Sequence, residues 1–425
     1  MDKWNTNQTL TQPQPQWTWI EGGVGAPLGF LATGVKAGIK YTDKYDVALI
    51  YSQVPAQAAG VFTRNKVKAH PLLLTKKHLA NGIAQAIVVN SGNANACVGK
   101  AGDEAALAMA VKTAGLLGIK TEDVLVASTG VIGVEMPVER VEQGIQLAYE
   151  ELTGEASEEN NTEDKIRKAH QAALAIMTTD TVCKEVACAL PTEKGMIRLG
   201  AIAKGSGMIH PNMGTMLCFI TTDAQIAAGD LQALLKESVE DSFNMVTVDG
   251  DTSTNDMVLV LANGQSGVAL TGKDWEEFCR MFKAVCTKLA QEIARDGEGA
   301  TKFLEVQVQG AATVEDARLI ARSICGSSLV KTAIYGEDAN WGRILAAAGY
   351  SGADFDPNKV DIYLGEVLVA QEGQGVNFSE DEAKVVLQQK DITIKLILRD
   401  GKAQATAWGC DLSHDYVTIN GAYRT

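Results

Sequence analysis

None of the eight cysteines stands in a CxxC pair. Cys97, Cys183, Cys188, Cys218, Cys279, Cys286, Cys325 and Cys410 are scattered, mostly in apolar contexts where a free thiol behaves as a small buried hydrophobe. This spacing argues against a disulfide framework and against a zinc site. Basic charge is also in deficit, with 38 Lys and Arg against 52 Asp and Glu and a net charge of −14. A nucleic-acid groove or an anionic membrane surface needs clustered cations, so neither is an expected partner. No uncharged apolar run approaches the length of a membrane span, and the first residues lack a basic region leading into an apolar core. The reducing cytoplasm is therefore the expected compartment. The five histidines, His70, His78, His170, His210 and His414, show neither HxH nor HExxH spacing. No internal repeat is visible.

The chain has 425 residues, 46% hydrophobic and 21% charged, which suits a soluble protein of two or three domains. Short branched-aliphatic runs bounded by Gly, Asn or Asp predict strands at 47–51, 86–89, 124–127, 216–220, 258–261, 304–308, 360–364 and 392–398. Helical patterns occupy 103–117, 164–177 behind a possible Thr162 cap, 231–243 and 274–295. In the last of these, Trp275, Phe278, Phe282, Val285, Leu289 and Ile293 fall on one face, the mark of a helix that covers a core. Strand 391–398 reads as one arm of a hairpin returning through "RDGKAQATAWG". Strands and helices do not alternate strictly, which favours mixed α/β and α+β layers over a doubly wound nucleotide-binding fold. The Gln/Pro-rich start, residues 1–20, reads as a flexible lead-in, and the acidic 154–164 as a surface linker.

Two stretches imitate ligand loops. "GVALTGKD" (267–274) spaces its glycines like a phosphate loop, but Asp274 follows the lysine where a magnesium-holding Ser or Thr belongs, so a strand-to-helix turn is expected. "DGDTSTND" (249–256) alternates oxygens as calcium loops do, yet lacks their glycine and terminal Glu. No metal is expected. A third stretch, "KGSGMIHPNMGTMLCFITTDA" (204–224), sets glycines, a proline and a lone lysine against an apolar strand. His210 there is at least as well suited to structural hydrogen bonding as to catalysis.

Thr215 in this stretch has a chemical use. A threonine nucleophile needs a base, and its own α-amine can serve once the preceding bond is cut. Such an amine titrates near pH 7.7, so roughly a sixth is unprotonated at pH 7. Gly214 offers an unhindered carbonyl for an N-to-O acyl shift, and Pro211 and Asn212 restrict the approach. Alone, a Gly-Thr pair before a strand is usually only a turn.

The stretch closely resembles the autoprocessing segment of the ornithine acetyltransferases, the arginine-biosynthesis bifunctional family. "GFLATGVKAGIK", "VVNSGNANACVGKAG", "VLVASTGVIG", "IMTTDT", "VDGDTSTNDM", "GEGATKF", "GEDANWGRI" and "INGAYRT" resemble further family motifs, in family order and over nearly the whole chain. Membership implies an autoprocessed N-terminal-nucleophile fold, with sheets sandwiched by helices. It implies self-cleavage between Gly214 and Thr215, giving chains 21–214 (after the lead-in) and 215–425, the latter including a smaller unit around 300–400. Gly214 stands where the family commonly has Ala; both are small.

The resemblance further implies a ping-pong reaction in which Thr215 takes acetyl from N2-acetylornithine and passes it to glutamate. Some members also accept acetyl-CoA as donor, and no cofactor is held. Thr129 and Gly130 match the pair that stabilises the oxyanion, while Thr178, Lys204, Glu298, Asn420 and Thr425 match substrate-binding positions. Lys204 can pair with a carboxylate; Glu298 can hold a cationic amine or orient the Thr215 amine. Two copies of each fragment, a heterotetramer, is the implied assembly. An autoprocessed amidohydrolase or aminopeptidase using Thr215, and an uncleaved ligand-binding protein, are the competing readings.

Overall fold

The computed structural model describes residues 14–154, 162–210 and 216–422. Gly214, Thr215, Thr425 and most of the acidic linker therefore lie outside the described residues. In the first part of the chain, strands β1 (Thr18–Ile20), β2 (Phe30–Val35), β3 (Val47–Phe62), β4 (Ile83–Asn90) and β5 (Val124–Ser128) are joined through helices α1 (His70–His78) and α2 (Lys100–Leu117). Helices α3 (Val138–Thr153) and α4 (Thr162–Ala175) follow, then β6 (Lys184–Thr192), β7 (Gly195–Lys204) and β8 (Leu217–Thr222). Next come α5 (Ala228–Glu240), β9 (Val246–Thr247), β10 (Met257–Ala262), α6 (Gly272–Arg295), β11 (Phe303–Ala311) and α7 (Val314–Gly326). The remainder comprises α8 (Ser328–Tyr335), α9 (Trp341–Gly349), β12 (Asp361–Leu364), β13 (Val367–Gln371), β14 (Gln374–Gly375), α10 (Glu380–Leu387), β15 (Asp391–Ile397), β16 (Ala403–Cys410) and α11 (His414–Gly421).

These strands make two mixed sheets. The first runs β1-β6-β7-β8-β10-β3-β4-β5, with β2 also on β3; the second runs β14-β13-β12-β15-β11-β16-β9. All eight strands expected from branched-aliphatic runs are present, and the four helical patterns are helices with ends shifted by a few residues. β3 is long because its first half carries β2 on one edge and its second half carries β10 there.

The runs are continuously apolar because both faces of the first sheet are covered. Cys218, Ile220, Val258 and Val260 face α5 and α6, whereas Leu217, Phe219, Leu259 and Leu261 face the layer that includes α4. Val47, Leu49, Val88 and Val126 pack instead with α2 and α3. The apolar stripe of α6 does what its spacing predicts. Phe278, Phe282, Val285, Leu289 and Ile293 are all buried, in one core that also takes in Val306, Val308, Ile394 and Leu396 of the second sheet. α6 is thus the common wall of both sheets.

Three expectations are corrected. β15 and β16 are not partners in a hairpin: β11 lies between them, parallel to β15 and antiparallel to β16. The connecting turn crosses the end of β11, where the Asp400 and Gly401 amides donate to the Gly310 carbonyl at 3.0 and 2.9 Å. Not all of 1–20 is a lead-in, since Thr18–Ile20 pair with β6 and the Gln16 amide donates to Glu277 Oε1 at 2.7 Å. Thr162 lies within α4 rather than ahead of it.

The "GVALTGKD" segment is a turn into a helix: Ala269 bridges to Gln225 and Thr271 precedes the first turn of α6. Cys188, Cys218, Cys286, Cys325 and Cys410 are buried free thiols, as their apolar contexts predict. No helix among the described residues is long and apolar enough to cross a membrane. Phe282→Ala, at the shared wall, is expected to lower stability by about 3–5 kcal/mol, as read from denaturant unfolding of the variant against wild type.

Candidate active site

The floor of the site is built where β4 and β5 end. The Ser128 hydroxyl donates to Asn90 Oδ1 at 2.5 Å, the Asn90 amide side chain donates to the Asn93 carbonyl at 2.9 Å, and the Thr129 amide donates to the Asn90 carbonyl at 3.0 Å. Gly130 has φ +134, and a Cβ there would lie 2.3 Å from the Gly92 carbonyl carbon. Only glycine lets these two turns touch. From the far side, buried Asn255 donates to the carbonyls of Ala94 (2.6 Å) and Ser128 (2.7 Å), and its own Oδ1 accepts from Thr254. Three quoted motifs, "NSGNAN", "ASTG" and "TSTND", are therefore one hydrogen-bonded unit.

Opposite this floor stands a buried charge network. Lys184, 1% exposed, lies between Asp180 Oδ1 at 2.9 Å and Asp296 Oδ2 at 2.5 Å. Asp180 also accepts from the amides of Gly205 (2.6 Å) and Thr178 (3.1 Å). Burial would raise the Asp180 carboxyl, but Lys204 and Lys184 outweigh it and bring it down to about 2. Lys204, at the end of β7, is buried with its ammonium 4.0 Å from Asp180 and 3.5 Å from the Thr129 hydroxyl. Thr181 donates through both its amide and its hydroxyl to Asp296, and Ser206 donates to the Asp296 carbonyl at 2.7 Å.

Glu298 follows the end of α6. Its amide donates to the Ser206 carbonyl at 3.0 Å, and its Oε2 accepts from Asn420 of α11 at 2.8 Å. Gly207 leaves room for this carboxylate, since a Cβ there would sit 2.3 Å from the Glu298 Cδ. The loop carrying Gly207 is fixed by Asp249, whose carboxylate accepts from the amides of Met208 (2.6 Å), Ile209 (2.9 Å) and Asp251 (3.2 Å). In "DGDTSTND", Asp249 thus caps backbone amides in the manner of a turn residue.

These elements enclose a cleft of about 330 Å³ lined by Thr129, Gly130, Thr178, Lys204, Glu298 and Asn420 among others. Six of the residues proposed from sequence converge there, from β5, the loop after α4, β7, the end of α6 and α11. Gly214, Thr215 and Thr425 lie outside the described residues. Met216 is buried, with its carbonyl accepting from the Met257 amide at 3.0 Å, and the next residue, Leu217, pairs with Lys204. His210 does not line the cleft; its Nδ1 lies 3.1 Å from the Thr247 hydroxyl, and burial lowers its pKa.

The ArgJ family pattern matches residues 31–425. The chain belongs to the ArgJ family. It is 53% identical over 412 residues to the arginine biosynthesis bifunctional protein ArgJ of Symbiobacterium thermophilum, covering 96% of this chain and 100% of that one. The Thermotoga neapolitana protein of the same name is 52% identical over 409 residues, covering 94% and 99%. A crystal structure of the Bacillus halodurans arginine biosynthesis bifunctional protein matches at 48% identity and a TM-score of 0.47, covering 48% of this chain and 98% of that one.

Sequence reasoning missed Asp180, Lys184, Asp296, Asp249 and Asn255 as builders of the site. Asp180, Asp249 and Asn255 lie inside quoted motifs, but nothing local marks Lys184 or Asp296 as partners 112 residues apart. The Asp180 carboxyl has a folded pKa of about 2, below the usual value near 3.9, so its stabilisation is complete above about pH 4 and is lost as pH falls towards 2. Asp180→Asn should cost about 3–5 kcal/mol at pH 7, and the gap to wild type should narrow between about pH 4 and 2 in denaturant melts.

Proposed function

We propose that the protein moves acetyl from N2-acetylornithine to glutamate by a ping-pong route through an acetyl-Thr215 ester, after cutting itself between Gly214 and Thr215. As an ArgJ-family member it is an arginine-biosynthesis enzyme. The observation that carries the finer reading is the convergence of Thr129, Gly130, Thr178, Lys204, Glu298 and Asn420 on one cleft.

The arrangement supplies what acyl transfer from an amide needs. The Thr215 hydroxyl attacks the acetyl carbonyl while the α-amine takes its proton. The Thr129 hydroxyl and the Gly130 backbone amide receive the developing oxyanion, which is worth most in a site shielded from water. The C–N bond breaks, the proton passes to the leaving amine, and ornithine departs. Glutamate then attacks the ester through its own amine and restores Thr215. The buried Lys204 ammonium suits the α-carboxylate common to both amino acids, and the Glu298 carboxylate, steadied by Asn420, suits a cationic amine. Thr178 adds a neutral hydrogen-bonding edge, as Thr425 would from the C-terminus.

The sheet order supports a cut that leaves the fragments together. β8 and β10, both after residue 215, stand between β7 and β3, which precede it. Separating the fragments would break the pairings of β8 with β7 and of β10 with β3 and expose a shared core. The relatives' description as bifunctional supports acetyl-CoA as a second donor for making N-acetylglutamate. The same description, at about half identity over the full chain, favours a transferase over the amidohydrolase or aminopeptidase reading. A cytoplasmic heterotetramer with two copies of each fragment completes the proposal.

Two bands on a denaturing gel, one beginning at Thr215, are expected from the purified wild type. A single intact band from active protein would refute self-cleavage. Thr215→Ala should remain uncut and inactive. In processed enzyme, Thr129→Val should lower kcat for acetylornithine-to-glutamate transfer by about 10²–10³, whereas ornithine release that ignores glutamate would favour the hydrolase.

A further inference from the structure

Away from the cleft, α4 meets the start of β6 and brings three unlike metal-binding groups together. His170 of α4, Cys183 just before β6 and Glu185 within it offer a ring nitrogen, a thiol sulfur and a carboxylate oxygen that all lie within 4.8 Å of one another. Among the described residues this is the one such group, and all three residues are half-buried. No local motif marks it, since the ring and the thiol are 13 residues apart and belong to different elements.

Cys183 and Glu185 share a face because an extended chain turns alternate residues to opposite sides. Lys184, between them, takes the other face, where it holds Asp180 and Asp296. His170 Nδ1 lies 2.6 Å from Glu185 Oε1 and 3.9 Å from Cys183 Sγ. Ligands at about 2.0–2.3 Å from one tetrahedral ion are about 3.3–3.6 Å apart, so side-chain shifts of about 1 Å turn this arrangement into a coordination set. The second Glu185 oxygen, Oε2, is buried, lies close to Gly23 and has no hydrogen-bond partner among the described residues. A carboxylate oxygen taken out of water without a donor is unfavourable, and a cation bound by that carboxylate offsets the cost. The charges acting on the thiol are also mostly negative, with Glu185, Asp180 and Glu292 against Lys184. Burial and Glu185 push the thiol up to about 12, so a metal has to displace its proton, which passes to solvent.

One nitrogen, one sulfur and one oxygen donor select a borderline-soft cation, whereas magnesium and calcium take oxygen ligands. We propose that His170, Cys183 and Glu185 bind a zinc-class divalent cation, with water in the fourth position, and that the ion ties α4 to the start of β6. The ring proton between Nδ1 and Glu185 gives way to the ion and resides on Nε2 instead. The ion takes no part in the acetyl transfer proposed above.

The test uses the full-length protein, stripped with a chelator and titrated with Co2+, whose thiolate complexes absorb in the near ultraviolet. Wild type should develop that charge-transfer band to an end point of one ion per chain, and added Zn2+ should remove it. Cys183→Ser should abolish the band, whereas Cys97→Ser, at the exposed thiol, should leave it in place. His170→Gln and Glu185→Gln, at partly exposed side chains, should each weaken cobalt binding about tenfold or more, and they keep the test valid if Cys183→Ser fails to fold. Zn2+ should raise the melting temperature of wild type but not that of His170→Gln. The site is overturned if wild type shows no thiolate band at millimolar cobalt, if the band survives in Cys183→Ser, or if His170→Gln binds cobalt as tightly as wild type. The three residues would then be a His–Glu hydrogen bond beside a core thiol.

Discussion

A lysine buried between two buried aspartates organises this molecule. Lys184 belongs to the first strand after α4, Asp180 to the loop before it, and Asp296 to the end of the long helix that walls both sheets. Taking three charges out of water is costly, and removing any one partner leaves the others unpaired. The network is therefore weak as a source of net stability and strong as a constraint. It fixes where α6 ends against the first sheet. Through Asp180 it also sets the Gly205 amide and attracts the Lys204 ammonium, so one carboxylate positions both the loop and the cation of the cleft.

From that constraint the site can be followed outward. The end of α6 places Glu298, the Asp249 carboxylate places the loop that makes room for it, and Asn420 closes the far side. On the opposite wall, the Asn90 carbonyl accepts from the Thr129 amide and Asn255 donates to the Ser128 carbonyl, which fixes the turn that carries Thr129 and Gly130. No single element supplies two of the six converging side chains apart from the Thr129-Gly130 turn. A site assembled in this way depends on the sheet order. That order interleaves strands from both sides of residue 215, which is how a proposed cut inside the site could leave it standing.

Much of the fold was legible in residue patterns, for identifiable reasons. Buried strands here are continuous branched-aliphatic runs because helices cover both faces of the first sheet, and α6 carries an apolar stripe over its whole length. β2, β6, β7 and β16 were harder, because Gly, Ala, Thr and Lys interrupt them and no uniform run stands out. The β15–β16 pairing was misread because chain proximity suggests a hairpin, whereas β11 arrives from some eighty residues earlier to take the place between them. For the site, residue chemistry showed that Thr215 could be a nucleophile, while the family motifs picked out Thr129, Lys204 and Glu298. The supporting Lys184–Asp296 pair has no local mark, since either residue alone reads as a surface charge.

By itself, then, the sequence determined the parts of the chemistry: an acidic chain with buried thiols, branched runs for strands, a striped helix, and motifs in the order of one family. These are local properties, set by side-chain hydrophobicity, charge and backbone preference. Only the tertiary structure decided which motifs meet, because hydrogen bonds and ion pairs form between atoms a few ångströms apart whatever their distance along the chain. It brought "ASTG", "TTD", "KGSG", "GEG" and "ING" to one cleft, and buried two aspartates around one lysine to hold them there.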